Sequence, residues 1–152
     1  MLSIQISDIK DFMSHLLSKD TFDHFYFIEA SIKMGVSYQI QGRINEGFYD
    51  TSVEQTLNRE FCYWKEIRHR IFDIIKGKRL PLSCKIVLGL SKQSISYLIA
   101  HNNSSFREED IEGIYVNILY DPKNLLITTG ISYKNFSLDK SLEYAFDEYL
   151  VK

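Results

Sequence analysis

The chain has 152 residues, a length that fits one domain and allows a sizeable core to be buried. A hydrophobic fraction of 45% and an aromatic fraction of 14% exclude a disordered chain, and no apolar run approaches the ~20 residues that cross a bilayer. The formal net charge of −2 weighs against a uniformly basic, nucleic-acid-coating protein.

These quantities lead to a first set of expectations about location and chemistry. Cys62 and Cys84 have neither metal nor redox spacing, and no secretory signal precedes them, so we interpret them as reduced thiols of a cytoplasmic protein. We expect a single domain over residues 1–152, with no cofactor, no metal ion and no membrane partner.

The first half of the chain is predicted to run strand, helix, strand, strand, helix. Alternation at Leu2, Ile4 and Ile6 indicates a short strand, and Ser7 is a good N-cap for an amphipathic helix over 8–18. Two alternating segments on either side of Gly35 predict a hairpin. The helix that follows carries one apolar stripe, at Trp64, Ile67, Ile71, Ile74 and Ile75.

The second half repeats this order. Gly77 is placed to end the preceding helix with a left-handed residue, and a doubly apolar strand over 86–90 leads to a second serine N-cap at Ser91. A hairpin is predicted from alternation on both sides of the turn Asp121-Pro122-Lys123-Asn124. Ser137 is predicted to cap a final helix.

Together these elements predict an α+β fold built from two βαββα pseudo-repeats, about 1–78 and 79–152. The two serine caps lie 84 residues apart, and each follows a strand and precedes a helix and a hairpin. We expect a mostly antiparallel sheet with helices packed on one face, and an internal duplication of structure rather than of residue identity.

Positive charge is concentrated in the middle of the chain. Residues 65–85 contain seven Lys and Arg residues against two acids, a local charge of +5. A solvated helix face explains this pattern, and so does contact with nucleic acid or another polyanion. The candidate binding residues are Lys65, Arg68, Arg70, Lys76, Lys78 and Arg79. Arg68 lies at the edge of the apolar stripe, so packing of its stem is an alternative.

A second candidate site is acidic. Asp20, Asp23 and His24 occur within five residues, a spacing that suits an acid–base pair or a hard cation but is also common by chance. With Arg79 or Lys78 as an anion clamp, these residues would suit a small hydrolase acting on a phosphorylated substrate. That hypothesis requires the loop at 20–24 and the turn at 76–80 to meet in space.

No established catalytic motif supports the hydrolase, since phosphate-binding glycine loops, the nucleophile elbow and zinc-protease motifs are all missing from the sequence. We therefore assign no catalytic residue and favour a non-catalytic binding or scaffold protein. Its partner would be nucleic acid, another polyanion or a protein. A homo-oligomer joined through apolar hairpin faces is the third hypothesis.

Several segments resemble a small uncharacterised bacterial family, a domain of unknown function. They are DTFDHF, WKEIR, IIKGKRLPLSCKIV and TTGISYKNFSLDKSLEYAFDE. The resemblance implies a cytosolic protein and brings no activity or ligand with it. The predicted order of elements is also similar to the duplicated saddles of sliding clamps and TATA-binding proteins, a likeness of topology that does not imply function.

Overall fold

The computed structural model describes residues 3–48, 60–101, 111–133, 146–147 and 150 of the chain. The strands are β1 (Ser3–Gln5), β2 (Tyr26–Lys33), β3 (Ser37–Gln41), β4 (Ser83–Gly89), β5 (Ile111–Tyr120) and β6 (Leu125–Tyr133). The helices are α1 (Ile9–Leu17), α2 (Trp64–Ile75) and α3 (Lys92–His101), with a short 3-10 turn at Glu46–Phe48. The α+β class is confirmed.

The strands form one six-stranded sheet in the order β1-β6-β5-β4-β2-β3, and every neighbouring pair is antiparallel. Alternate residues of the central strands line up across the sheet, as in the row Ala30, Ile86, Ile118 and Ile127. These residues share one buried core with the apolar faces of all three helices. The expectation of an antiparallel sheet with helices on one face is therefore confirmed.

The opposite face of the sheet is mostly polar. Glu29, Lys85 and Gln41 project from it and are exposed. Val87, which pairs with Glu29 on the same face, is buried. A β-bulge between Phe27 and Glu29 shifts the alternation of β2, so that Phe27 rather than Ile28 enters the core. The strict alternation predicted for this strand was wrong at Ile28, because one bulged residue exchanges the core-facing and the solvent-facing sides of the strand.

The internal duplication is not shown by the described strands, although their order along the chain follows the predicted one. In the second half, the first strand β4 pairs with the hairpin strand β5 of the same half. In the first half, the corresponding strand β1 does not pair with β2; it pairs with β6, at the other side of the sheet. Strand β4 pairs with both hairpins, so the strands of the two halves form one continuous sheet. The pseudo-repeat remains a prediction, and the cap at Ser137 lies outside the described residues.

The helix ends follow cap chemistry with two corrections. Asp8, not Ser7, caps α1, and its carboxylate accepts a hydrogen bond of 3.0 Å from the backbone N–H of Asp11. Ser91 caps α3 as predicted, since its hydroxyl accepts from the backbone N–H of Ser94 at 3.2 Å. Gly77 has a positive φ of +145°, but it is not the predicted left-handed helix cap, because α2 ends at Ile75 and the C-cap residue Lys76 is already extended.

Both cysteines are free thiols. Burial raises the pKa of the Cys84 thiol to about 12, so this side chain stays protonated and behaves as a small apolar residue at neutral pH. Cys62 is half-buried.

Candidate functional site

Helix α2 organises both candidate sites because it runs from one to the other. Its N-terminus is fixed by the backbone N–H of Tyr63, which donates to the carboxylate of Glu66 at 3.2 Å, and by the N–H of Trp64, which donates to the carbonyl of Phe25 at 2.8 Å. A 12-residue helix is ~18 Å long. Its core-facing stripe leaves Lys65 and Arg70 on the exposed side.

Arg68 is one of the six predicted binding cations, and the structure pairs it with a carboxylate instead. Its Nε lies 2.9 Å from Oδ1 of Asp23, and its terminal nitrogen donates to Oδ2 of Asp23 at 3.2 Å. The two side chains are only 22% and 17% exposed. This ion pair, which contains one hydrogen bond, ties the 20–24 loop to α2, so Arg68 is occupied within the protein.

Lys76 is paired more loosely. Its ammonium lies 2.9 Å from the carboxylate of Asp73 and over the ring of Phe72, and both charged groups are exposed. An exposed ion pair of this kind contributes only ~0–1 kcal/mol, so an incoming anion can displace the carboxylate at little cost. Lys76 therefore remains available for binding.

The other four predicted cations are exposed and lack a carboxylate within 4 Å among the described residues. They are Lys65, Arg70, Lys78 and Arg79. Lys78 and Arg79 lie next to each other in the connection from α2 to β4, directly after the positive-φ residue Gly77. We call Lys65, Arg70, Lys76, Lys78 and Arg79 the basic surface.

The predicted acidic residues line a cleft of about 510 Å³ at the N-terminal end of α2. Asp20, Asp23 and His24 contribute one wall. The rest of the lining consists of Tyr63, Lys65, Ser91, Gln93 and Ser94. Sequence reasoning did not predict that the first turns of α2 and α3 meet here, because these segments are about 27 residues apart and only the sheet brings them together.

The structure does not bring Arg79 or Lys78 to this cleft. Both follow the C-terminal end of α2, whereas Asp20, Asp23 and His24 lie at its N-terminal end, so the length of the helix, ~18 Å, separates the two groups. Lys65 is the predicted cation that does line the cleft. Within the described part of the chain, no cluster of three or more His, Cys, Asp or Glu residues is placed to hold a metal ion.

The Asp23–Arg68 pair yields a stability prediction. Asp23→Asn removes the charge but keeps the shape, and it leaves a largely buried guanidinium without its counter-charge. We expect the free energy of unfolding to fall by roughly 1–3 kcal/mol, measured by urea denaturation. The matched control is Asp73→Asn, which breaks the exposed pair with Lys76 and should cost less than ~0.5 kcal/mol. Equal losses in the two variants would contradict a structural role for Asp23.

Comparison with known proteins yields a family but no characterised relative. Residues 15–152 match the model of a family described as "Family of unknown function (DUF5721)". No curated protein and no solved structure matches the chain. The expected membership of an uncharacterised family is thus confirmed, whereas the likeness to clamp-like saddles is not. None of the helices in the described ranges has the length and hydrophobicity needed to cross a membrane.

Proposed function

Because the chain belongs to this family of unknown function, we infer its role from its own side chains and propose that it is a non-catalytic protein that binds a polyanion through the basic surface. Its two free thiols suit a reducing compartment, so we place this activity in the cytoplasm.

One observation carries the proposal. Four of the six cations between Lys65 and Arg79 are exposed and have no carboxylate within 4 Å among the described residues, in a chain whose formal net charge is −2. The half-buried Arg68, in contrast, is neutralised by the half-buried carboxylate of Asp23. Lys65, Arg70, Lys78 and Arg79 receive none, which leaves their charge available to an external partner.

The arrangement of these cations suits an extended partner. They follow α2 from its first turn to the connection beyond its end, a span of at least ~18 Å. A small anion would be held by groups that converge on one point, whereas these groups are distributed over the length of α2 and the connection after it. A chain of phosphates or sulfates, or a surface of anionic groups, can contact several of them together.

The test is binding of the full chain to heparin and to labelled single-stranded and duplex DNA across a salt titration. The double variant K78Q/R79Q should weaken binding by roughly ten-fold or more and lower the slope of log K against log salt by about two, since two ionic contacts are lost. The control K19Q/K92Q removes the same charge from exposed lysines outside the basic surface and should change binding little.

Two results would overturn the proposal. One is the absence of binding to every polyanion at low salt, and the other is binding that does not depend on salt. If K19Q/K92Q weakened binding as much as K78Q/R79Q, net charge rather than the basic surface would be responsible.

A second candidate function rests on the cleft at the other end of α2. Asp20 and His24 remain there as acid–base groups, and Lys65 would replace Arg79 as the anion clamp for a phosphorylated small molecule. Asp23 is committed to Arg68, which leaves this hydrolase with one free carboxylate in the described lining. Release of phosphate from a panel of sugar and nucleoside phosphates, lost in His24→Ala, would establish this activity in place of the binding role.

A further inference from the structure

Exposed aliphatic side chains lie beside Lys78 and Arg79 at one end of the sheet. Leu80 and Leu82 are 67% and 69% exposed in the connection from α2 to β4, and Val36 is 65% exposed in the turn between β2 and β3. The two connections are neighbours, because the backbone N–H of Leu82 donates to the carbonyl of Lys33 at 2.8 Å.

The residue between the two leucines is buried. Pro81 restricts the backbone and anchors the connection to the body of the protein, whereas Leu80 and Leu82 on either side of it in sequence are exposed. Singly scattered apolar side chains are ordinary on a protein surface, but three highly exposed aliphatic groups on two adjacent connections form a patch.

The charge around this patch is positive. Lys33, Lys78 and Arg79 are exposed there without a carboxylate within 4 Å among the described residues. A second copy of the same end would therefore meet like charge. DNA or RNA would satisfy the cations, but single-stranded bases stack on aromatic rings, and the exposed apolar groups of this patch are aliphatic.

Resting on the polyanion binding proposed above, we infer that the polyanion is the surface of a lipid bilayer with anionic headgroups. The segment that docks, here called the leucine tip, consists of Val36, Lys78, Arg79, Leu80 and Leu82. The aliphatic groups enter the boundary between headgroups and acyl chains, and the cations remain at the level of the phosphates. Docking of this kind needs no spanning helix, so it is compatible with the finding on the described helices and revises the expectation of no membrane partner, which rested on spanning length alone.

The geometry suits a flat surface better than a peptide. The leucine tip is made of two hydrogen-bonded connections at one end of the sheet, whereas the cleft described above lies at the opposite end of α2. Its leucines and cations therefore lie at the same end of the molecule, where one extended surface can contact them. A single protein segment would need a groove to bury them.

The experiment is co-sedimentation of the full chain with vesicles of phosphatidylglycerol and phosphatidylcholine, compared with vesicles of phosphatidylcholine alone. We expect binding to the anionic vesicles and little to the neutral ones. The variant K78Q/R79Q should lower the partition coefficient by roughly 25-fold, about five-fold for each charge lost. The variant L80S/L82S should lower it by roughly ten-fold, because insertion of two side chains is lost.

Controls separate this inference from the function on which it rests. Phe48→Ser replaces an 83% exposed ring outside the leucine tip and should leave vesicle binding unchanged. L80S/L82S should bind heparin as the unaltered chain does, because its cations are intact. If the chain binds heparin or DNA but not anionic vesicles, the membrane inference is wrong and the polyanion proposal stands. If it binds none of them, both fail.

A second measurement reports insertion directly. In L80W, the new indole should shift its emission to shorter wavelength on anionic vesicles and be quenched by brominated lipids, while Trp64 is fully buried and gives a constant background. Vesicle binding without that shift, or binding by L80S/L82S at full strength, would show that the leucines remain in water and would overturn the inference.

Discussion

Replacing Trp64 by alanine is expected to lower the free energy of unfolding by about 3–5 kcal/mol, a large part of the total for a domain of this size. Trp64 is fully buried, its ring packs against Phe27 at 5.8 Å between centroids, and its indole N–H donates to the carbonyl of Leu16 at 2.8 Å. The side chain thus joins the end of α1, the start of α2 and the sheet.

Two kinds of loss combine in that variant. Truncation leaves a cavity under α2, and it leaves the carbonyl of Leu16 buried without its partner. Trp64→Phe separates them, since it keeps most of the volume and should cost roughly 1–3 kcal/mol through the hydrogen bond. Denaturation in urea followed by far-UV circular dichroism measures both variants without relying on tryptophan fluorescence.

The matched control is Tyr97→Ala, which truncates a 55% exposed aromatic side chain on α3 and should change stability by less than ~1 kcal/mol. Similar losses at the two positions would show that Trp64 does not join the helices to the sheet in the way described.

The second large effect is expected at Gly42, where three segments of backbone meet. The N–H of Gly42 donates to the carbonyl of Ile28, and the carbonyl of Gly42 accepts from the N–H of Cys62. A Cβ placed on Gly42 would lie 2.7 Å from the carbonyl carbon of Phe27 and closer still to its oxygen. The obstacle is backbone, which cannot rotate away as a side-chain tip can.

Gly42→Ala should therefore cost about 3 kcal/mol or more of unfolding free energy, because relief of the overlap requires the backbone at Gly42 to move away from β2. Gly35→Ala is the control, since a Cβ there meets nothing within 4 Å. Urea midpoints of the two variants provide the comparison. A Gly42→Ala protein as stable as Gly35→Ala would mean that the three segments do not pack as closely as the structure has them.

The position of the basic surface and of the cleft follows from the pairing of β2. The N–H of Trp64 bonds to Phe25 just before β2 begins, and Ser83 at the start of β4 pairs with Lys33 at the end of β2. Helix α2 therefore runs alongside β2 from end to end. This direction places the acidic loop and the turn carrying Lys78 and Arg79 at opposite ends of the molecule.

The sequence by itself determined the local elements. Alternation and the chemistry of Asp121 and its neighbours predicted the β5–β6 hairpin, where the Asp121 carboxylate accepts from the backbone N–H groups of Lys123 and Asn124, each at 2.8 Å. The 3.6-residue period predicted the buried face of α2, and serine chemistry predicted the cap at Ser91. These features depend on interactions within a few residues, which the order of residues encodes directly.

Only the tertiary structure decided which elements and which charges meet. Alternation states which face of a strand is apolar but does not name its neighbour, so the position of β4 between the two hairpins could not be predicted. Arg68 is neutralised by a carboxylate 45 residues earlier in the chain. Leu82 continues the alternation of β4 yet is 69% exposed, and it lies just before Ser83, the first residue of β4 in the pairing with β2. Long-range pairing sets burial and charge neutralisation, and therefore sets which cations and leucines a partner can reach.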